Sequence, residues 1–148
     1  MKDCAVITIP SDPKYLSVIR SVTVTMGGLC RMTDSVIEDM KLAVDEACAN
    51  VIKHAYRGDT HQKIVVKFKL RKNEFEVIIE DNGIKAQPGL IAGRNLEEVR
   101  PGGLGIHFIK RTFDVFQFDE KKTKGNRLRL IRHIGGDNED RSLGQQRA

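Results

Sequence analysis

The amino-acid sequence predicts one domain of the α+β class, and three observations carry that reading. Residues 63 to 80 hold two runs of alternating apolar and charged side chains split by Arg71-Lys72-Asn73, the pattern of a hairpin. Residues 33 to 56 repeat apolar side chains at helical spacing behind a capping sequence. Two more strand-like runs, Val115 to Asp119 and Arg127 to Ile134, come late in the chain. With 148 residues, the chain can bury about two thirds of its unfolded surface without disulfide or metal staples.

Val6 to Ile9 read as a first strand, stopped by Pro10. Ser11-Asp12-Pro13 supplies an N-cap with proline just inside a helix whose buried face holds Leu16, Ile19 and Val22 or Val24, and Gly27-Gly28 ends it. Thr33-Asp34-Ser35 caps a longer second helix, with Ser35 and Glu38 at the spacing of a capping box, and this helix runs to about Tyr56. Arg57-Gly58-Asp59-Thr60 turns the chain into the hairpin, whose second strand runs from Glu74 to Glu80 and stops at Asp81-Asn82-Gly83. From there to Gly103 periodicity is weak, over a length typical of a functional lid, with one short helical turn expected at Asn95 to Val99. Arg100-Pro101-Gly102-Gly103-Leu104-Gly105 leads into a third helix, Ile106 to Arg111, and a polar turn from Lys121 to Asn126 joins the last two strands. The residues from Asp137 onward are polar and are expected to be unstructured.

Composition narrows the function classes. The net charge is +5 and the sequence pI about 9.2, which raises nucleic acid as a partner. The distribution argues against it, because Lys63, Lys67, Lys69 and Arg71 form the outer face of one strand and Glu74, Glu76 and Glu80 answer them from the next. Six Phe, two Tyr and no Trp leave little to stack on bases, and none interleaves with a basic run. Cys4, Cys30 and Cys48 are odd in number and have no C-x-x-C spacing, so neither a disulfide framework nor a zinc site is expected, and a reducing cytoplasm fits. No apolar run approaches the ~18 residues of a membrane span, and the opening residues do not read as a signal peptide, so a soluble cytoplasmic protein is expected.

Three weak signals bear on chemistry. Glu46, Asn50 and His54 recur every four residues, so on a helix turning about 100° per residue they share one polar wedge opposite Ile37, Met40, Val44, Ala47, Cys48, Val51 and Ala55. Alone, that wedge reads as a solvated face, yet a carboxylate and a carboxamide one turn apart can also hold a proton and a metal-bound anion side by side. Asp81 ends a strand, where a carboxylate can accept a hydrogen bond from an exocyclic amine such as adenine N6, and Gly83 lets a ring approach the backbone. Gly102-Gly103-x-Gly105 opens a helix and can leave N–H groups free for phosphate, although it lacks the Lys-Ser/Thr of a P-loop.

The order of these signals is more specific than any one of them. Glu46-x-x-x-Asn50-x-x-x-His54, then Asp81-x-Gly83, then a lid ending in Arg100-Pro-Gly-Gly-Leu-Gly105, resembles the GHKL ATPase superfamily with its N, G1 and G2 boxes. The Glu-Ala-Cys-Ala-Asn-Val-Ile-Lys-His-Ala-Tyr wording and the Arg-Pro-Gly-Gly-Leu-Gly-Ile lid end are most similar to the bacterial anti-sigma-factor serine/threonine kinases of the RsbW/SpoIIAB type.

The resemblance implies a Bergerat-type ATP-binding fold, a two-layer sandwich in which helices cover one face of a mixed, mainly antiparallel sheet, over residues 1–135 with a tail at 136–148. It implies that Asn50 ligates Mg²⁺ bound to ATP, that Glu46 is the base or water-orienting carboxylate, and that Asp81 reads adenine with Gly83 permitting its approach. Gly102, Gly103, Leu104 and Gly105 would shape the phosphate-binding lid end, and Arg100 would approach the terminal phosphate. Two positions depart from the family pattern: Lys85 stands where a second glycine is usual, and Gly125-Asn126 replaces a Gly-Thr, with Asn126 still able to hydrogen-bond near the base. The implied function is phosphorylation of an anti-anti-sigma protein and sequestration of a sigma factor by a homodimer. The alternative is a nucleotide-gated binding switch that phosphorylates nothing.

Overall fold

The structure is a computed structural model, and it describes residues 3–86 and 103–135. In chain order the elements are β1 (Cys4–Pro10), a 3₁₀ turn (Pro13–Tyr15), α1 (Leu16–Leu29), α2 (Asp34–Asn50), a π-helical turn (Val51–Ala55), β2 (Lys63–Leu70), β3 (Glu74–Asp81), α3 (Gly103–Thr112), β4 (Val115–Phe118) and β5 (Asn126–His133). The strands form one sheet in the order β1-β2-β3-β5-β4, and every described pairing is antiparallel. The expected lid, the helical turn at Asn95 to Val99 and the tail lie outside the described residues.

The sheet's inner face follows from alternation. Ile64, Val66 and Phe68 of β2, Phe75, Val77 and Ile79 of β3, and Leu128 and Leu130 of β5 are all buried, and α2 answers with Val36, Met40, Val44 and Ala47. The outer face is a charged lattice wider than the hairpin alone suggests. Glu80 meets Lys67 and Arg127, while Glu76, only 1% exposed, meets Arg71 and Arg129. Ile78 and Ile131 are also buried on this face, over which no described helix packs.

Several local expectations are revised. Asp12 caps only the 3₁₀ turn, accepting from Lys14 N–H, and α1 begins at Leu16. Its buried face is Leu16, Ile19, Thr23 and Gly27, because Thr23 returns its hydroxyl to the Ile19 carbonyl and so enters the core at no polar cost. Val22 is only half-buried and Val24 is exposed. Gly27-Gly28 does not end α1: the helix continues to Leu29, and Gly27 is where α2 packs closest, since a side chain there would press on Ile37 and Met40. The cap of α2 is Thr33, which accepts from Val36 N–H, so Ser35 lies inside the helix and the Ser35–Glu38 box does not form. The three cysteines are free, and burial, then the charge of Asp45, pushes the Cys48 thiol up to about 12. No helix among the described residues is long and apolar enough to cross a membrane.

Candidate active site

Helix α2 delivers Glu46 and Asn50 to the edge where the helices meet the ends of β3 and β5. Asn50 lines a cavity of about 320 Å³, and both its amide nitrogen and its oxygen are buried with no hydrogen-bond partner among the described residues. A buried carboxamide left in that state costs about 1–3 kcal/mol, so its placement is not explained by stability. The four-residue rhythm holds as far as Asn50. Beyond it the helix widens into a π turn, closed by Tyr56 N–H donating to the Val51 carbonyl, so His54 stands in a different phase from Glu46 and Asn50, although it also lines the cavity.

At the opposite end Asp81 closes β3. It is 3% exposed and lines the same cavity. Its Oδ1 accepts from Gly83 N–H at 2.8 Å, and the Asn126 amide donates to Oδ1 and Oδ2 at 3.1 and 3.2 Å. Burial pushes the Asp81 carboxyl above its usual range, with these hydrogen bonds opposing. Asn126 also donates to the Ile84 carbonyl at 2.9 Å and accepts from Ala86 N–H at 2.7 Å. It therefore ties the loop after β3 to the start of β5.

That loop is held from the helix side as well. Ile84 N–H donates to the Ala55 carbonyl at 2.8 Å, and a Cβ at Gly83 would run into the same carbonyl group, so only glycine allows this approach. The Tyr56 hydroxyl donates to the Lys63 carbonyl and accepts from Asn82 N–H at 2.9 Å. Lys85 reaches across to the Lys122 carbonyl, so the residue standing at the usual second glycine straps the loop to the β4–β5 turn.

The structure thus brings Asn50, Asp81 and Asn126 around one cavity, with Gly83 beside it. Glu46 stands one helical turn from Asn50, its carboxylate packed against Gly105 in the first turn of α3. Gly103 is the first residue of α3, Leu104 follows within it, and Arg100 and Gly102 lie outside the described residues. The apolar wall was missed by sequence reasoning: Ile79 and Leu128, with Phe116 and Phe118 of β4, line the cavity. Alternation in Val-Phe-Gln-Phe puts the two phenylalanines on one face, the signal that was available. No group of three or more His, Cys, Asp or Glu side chains among the described residues forms a metal cage. Mg²⁺ does not need one, because it keeps waters and takes substrate phosphate oxygens beside one or two protein ligands. Chemically, the arrangement offers an apolar slot with the Asp81 carboxylate at one end and the Asn50 carboxamide at the other, while the Glu46 carboxylate lies one helical turn away against Gly105 and not in the cavity wall.

A layered α+β fold with such a slot is the architecture of a nucleotide-binding ATPase domain. Residues 9–132 match the histidine kinase-like ATPase domain family. The chain is 33% identical over 121 residues to a serine-protein kinase RsbW from Bacillus cereus, spanning 74% of this chain and 72% of that one. It is 26% identical over 140 residues to the Bacillus subtilis serine-protein kinase RsbW, spanning 89% and 86%. The crystal structure of a SiaB–SiaC complex from Pseudomonas aeruginosa superposes with a TM-score of 0.65 at 14% identity, over 86% of this chain and 88% of that one. The chain belongs to the histidine kinase-like ATPase family and, within it, to the serine-protein kinases of the RsbW type.

Proposed function

We propose that this chain binds ATP with Mg²⁺ in the cavity between α2 and the ends of β3 and β5, and transfers the terminal phosphoryl group to a serine or threonine hydroxyl of an anti-anti-sigma partner. In the same reading it sequesters a sigma factor, acts as a homodimer in the cytoplasm, and carries these activities on residues 1–135. The observation that carries the proposal is Asn50: a carboxamide buried without a partner, in a cavity whose far end holds a buried carboxylate.

The residues have distinct parts. Asp81 accepts from the exocyclic amine of adenine, and Ile79, Phe116, Phe118 and Leu128 exclude water from the ring. Gly83 keeps the turn tight against the π-helical turn at Ala55, and Asn126 holds the loop from the other side. Asn50 Oδ1 would hold Mg²⁺, whose contribution when bound is to neutralise phosphate charge. Glu46 accepts the proton of the attacking hydroxyl, and Gly103, Leu104 and Gly105 at the start of α3 offer backbone N–H groups and a positive helix end to the phosphates, a part in which Gly102 is proposed to share. Arg100 stabilises charge on the terminal phosphate. Phosphoryl transfer asks chiefly for positioning and electrostatics, which these groups supply.

The test is incubation with radiolabelled ATP and the candidate partner proteins encoded beside this chain, followed by mapping of the labelled residue. Label on a partner serine or threonine supports the kinase. Nucleotide-dependent capture without label overturns transfer and supports the binding switch.

A further inference from the structure

Arg132 breaks the pattern of its strand. The inner face of β5 carries Asn126, Leu128 and Leu130, and two residues further on alternation asks for another apolar side chain. A guanidinium stands there instead, only 7% exposed, and its Nη1 donates to the Thr112 carbonyl at 2.7 Å. Burying a cation at that position costs more than burying a leucine, so core packing does not account for the choice. Thr112 is the last residue of α3, where helix carbonyls lack intrahelical partners and a cation complements the helix dipole. Two more links join the chain just past this helix end to the same strand. Asp114 N–H donates to the Ile131 carbonyl at 2.8 Å, and the Asp114 carboxylate accepts from His133 N–H at 2.7 Å.

We propose that Arg132 is a positioning residue that pins the C-terminal end of α3 to β5 and so sets where the N-terminal end of that helix meets the phosphates of the nucleotide. Arg132 is not among the residues that line the cavity, and Thr112 stands about 10 Å along the helix from Gly105, so the guanidinium acts through α3 and not on the ligand. A ten-residue helix released at one end changes its tilt, which displaces the N–H groups of its first turn and their approach to Glu46. The base is read at the end of β3, by Asp81, and depends far less on that tilt. Loss of Arg132 therefore weakens the grip on phosphate selectively.

This inference rests on the nucleotide reading above, and two ligands separate the two without turnover. Titration calorimetry measures ADP with Mg²⁺, and adenosine, on the wild-type chain, Arg132→Met and Arg132→Lys, each checked for folding by circular dichroism. The expected result is that Arg132→Met binds ADP at least about tenfold more weakly, with adenosine within about threefold of wild type. Arg132→Lys keeps a cation at the helix end and binds ADP within about threefold of wild type. A role in stability alone lowers the melting temperature and leaves the ratio of ADP to adenosine affinity where it was. An unchanged ratio in folded Arg132→Met, with wild-type ADP binding intact, thus overturns the inference and spares the nucleotide reading. Failure of the wild-type chain to bind ADP overturns both. Should Arg132→Met not fold, Asp114→Ala decides, because it removes a second link between the end of α3 and β5 at an exposed position. The same ratio is expected to fall about threefold there, and an unchanged ratio overturns the inference.

Discussion

Gly105, in the first turn of α3, lies against the Glu46 carboxylate so closely that even a methyl group at 105 would overlap it. The overlap falls on the carboxylate and Cγ of Glu46, a flexible side chain that must turn away as a whole, so Gly105→Ala displaces Glu46. We expect Gly105→Ala and Glu46→Gln to share one phenotype. Nucleotide affinity and melting temperature stay near wild type, while phosphate transfer falls by about 10²–10⁴, the range for loss of a positioned general base. Single-turnover transfer with radiolabelled ATP checks both variants.

Asn50 predicts a trade between stability and ligand response. Asn50→Leu removes a carboxamide buried without partners and keeps a similar volume, so the ligand-free protein gains roughly 1 kcal/mol. The same variant loses the part of ADP-induced stabilisation that depends on Mg²⁺. Thermal unfolding with and without ADP and Mg²⁺ measures both effects, and a destabilised free protein with an intact Mg²⁺ response would contradict the role given to Asn50.

The Tyr56 hydroxyl bridges two backbone groups on separate segments, Lys63 C=O and Asn82 N–H. Tyr56→Phe leaves both without that partner in a half-buried setting and costs about 1–3 kcal/mol in urea unfolding. Hydrogen exchange at Asn82 speeds up, because that amide loses its acceptor.

Neighbours Glu80 and Asp81 point to opposite faces of β3 and contribute opposite pH dependences. At Glu80 burial raises the carboxyl, but the Arg127 hydrogen bond and the charges of Lys67 and Arg127 outweigh it and hold the carboxyl below its usual range. Its stabilisation is present above the unfolded-chain value and is lost as pH falls through the lower native one. Glu80→Gln is therefore less stable than wild type at pH 7, and the deficit closes in acid. At Asp81 burial wins and the native value is raised, so the charged form opposes folding. Asp81→Asn should gain stability relative to wild type at neutral pH, and that gain shrinks as pH falls through the native Asp81 value. Urea titrations across pH 3–8 distinguish the two slopes.

Sequence periodicity revealed the sheet and the helices because burial on one face imposes it, as in Ile64, Val66 and Phe68. It also put Glu46 and Asn50 in one polar wedge of the helix, but Asp81 stood out only as the end of a strand, and the roles of all three came from the resemblance and not from periodicity. It missed where tertiary contact overrides local preference. Gly27 reads as a helix stop but is selected by the approach of Ile37, and Val24 yields its place in the core to a self-satisfied Thr23. The π turn at Val51–Ala55 has no signature in residue types, yet it breaks the rhythm that seemed to bind His54 to Asn50. The roles of Lys85 and Asn126 depend on partners about 40 residues away in the chain, Lys122 for the one and Ile84 and Ala86 for the other, which spacing along one segment does not reveal.

The sheet order places β5 between β3 and β4, although it is the last of the five strands to be made. On a translating ribosome, residues 74–81 emerge well before residues 126–133, so β3 waits with an eight-residue hydrogen-bonding edge open and Asp81 without Asn126. Under the proposed function, nucleotide does not template the early steps of folding, because the cavity is completed by the final strand. Until residues 126–133 are made, the edge of β3 that pairs with them is open, an edge at which nascent chains can meet, and the cavity of the proposed function is not yet complete.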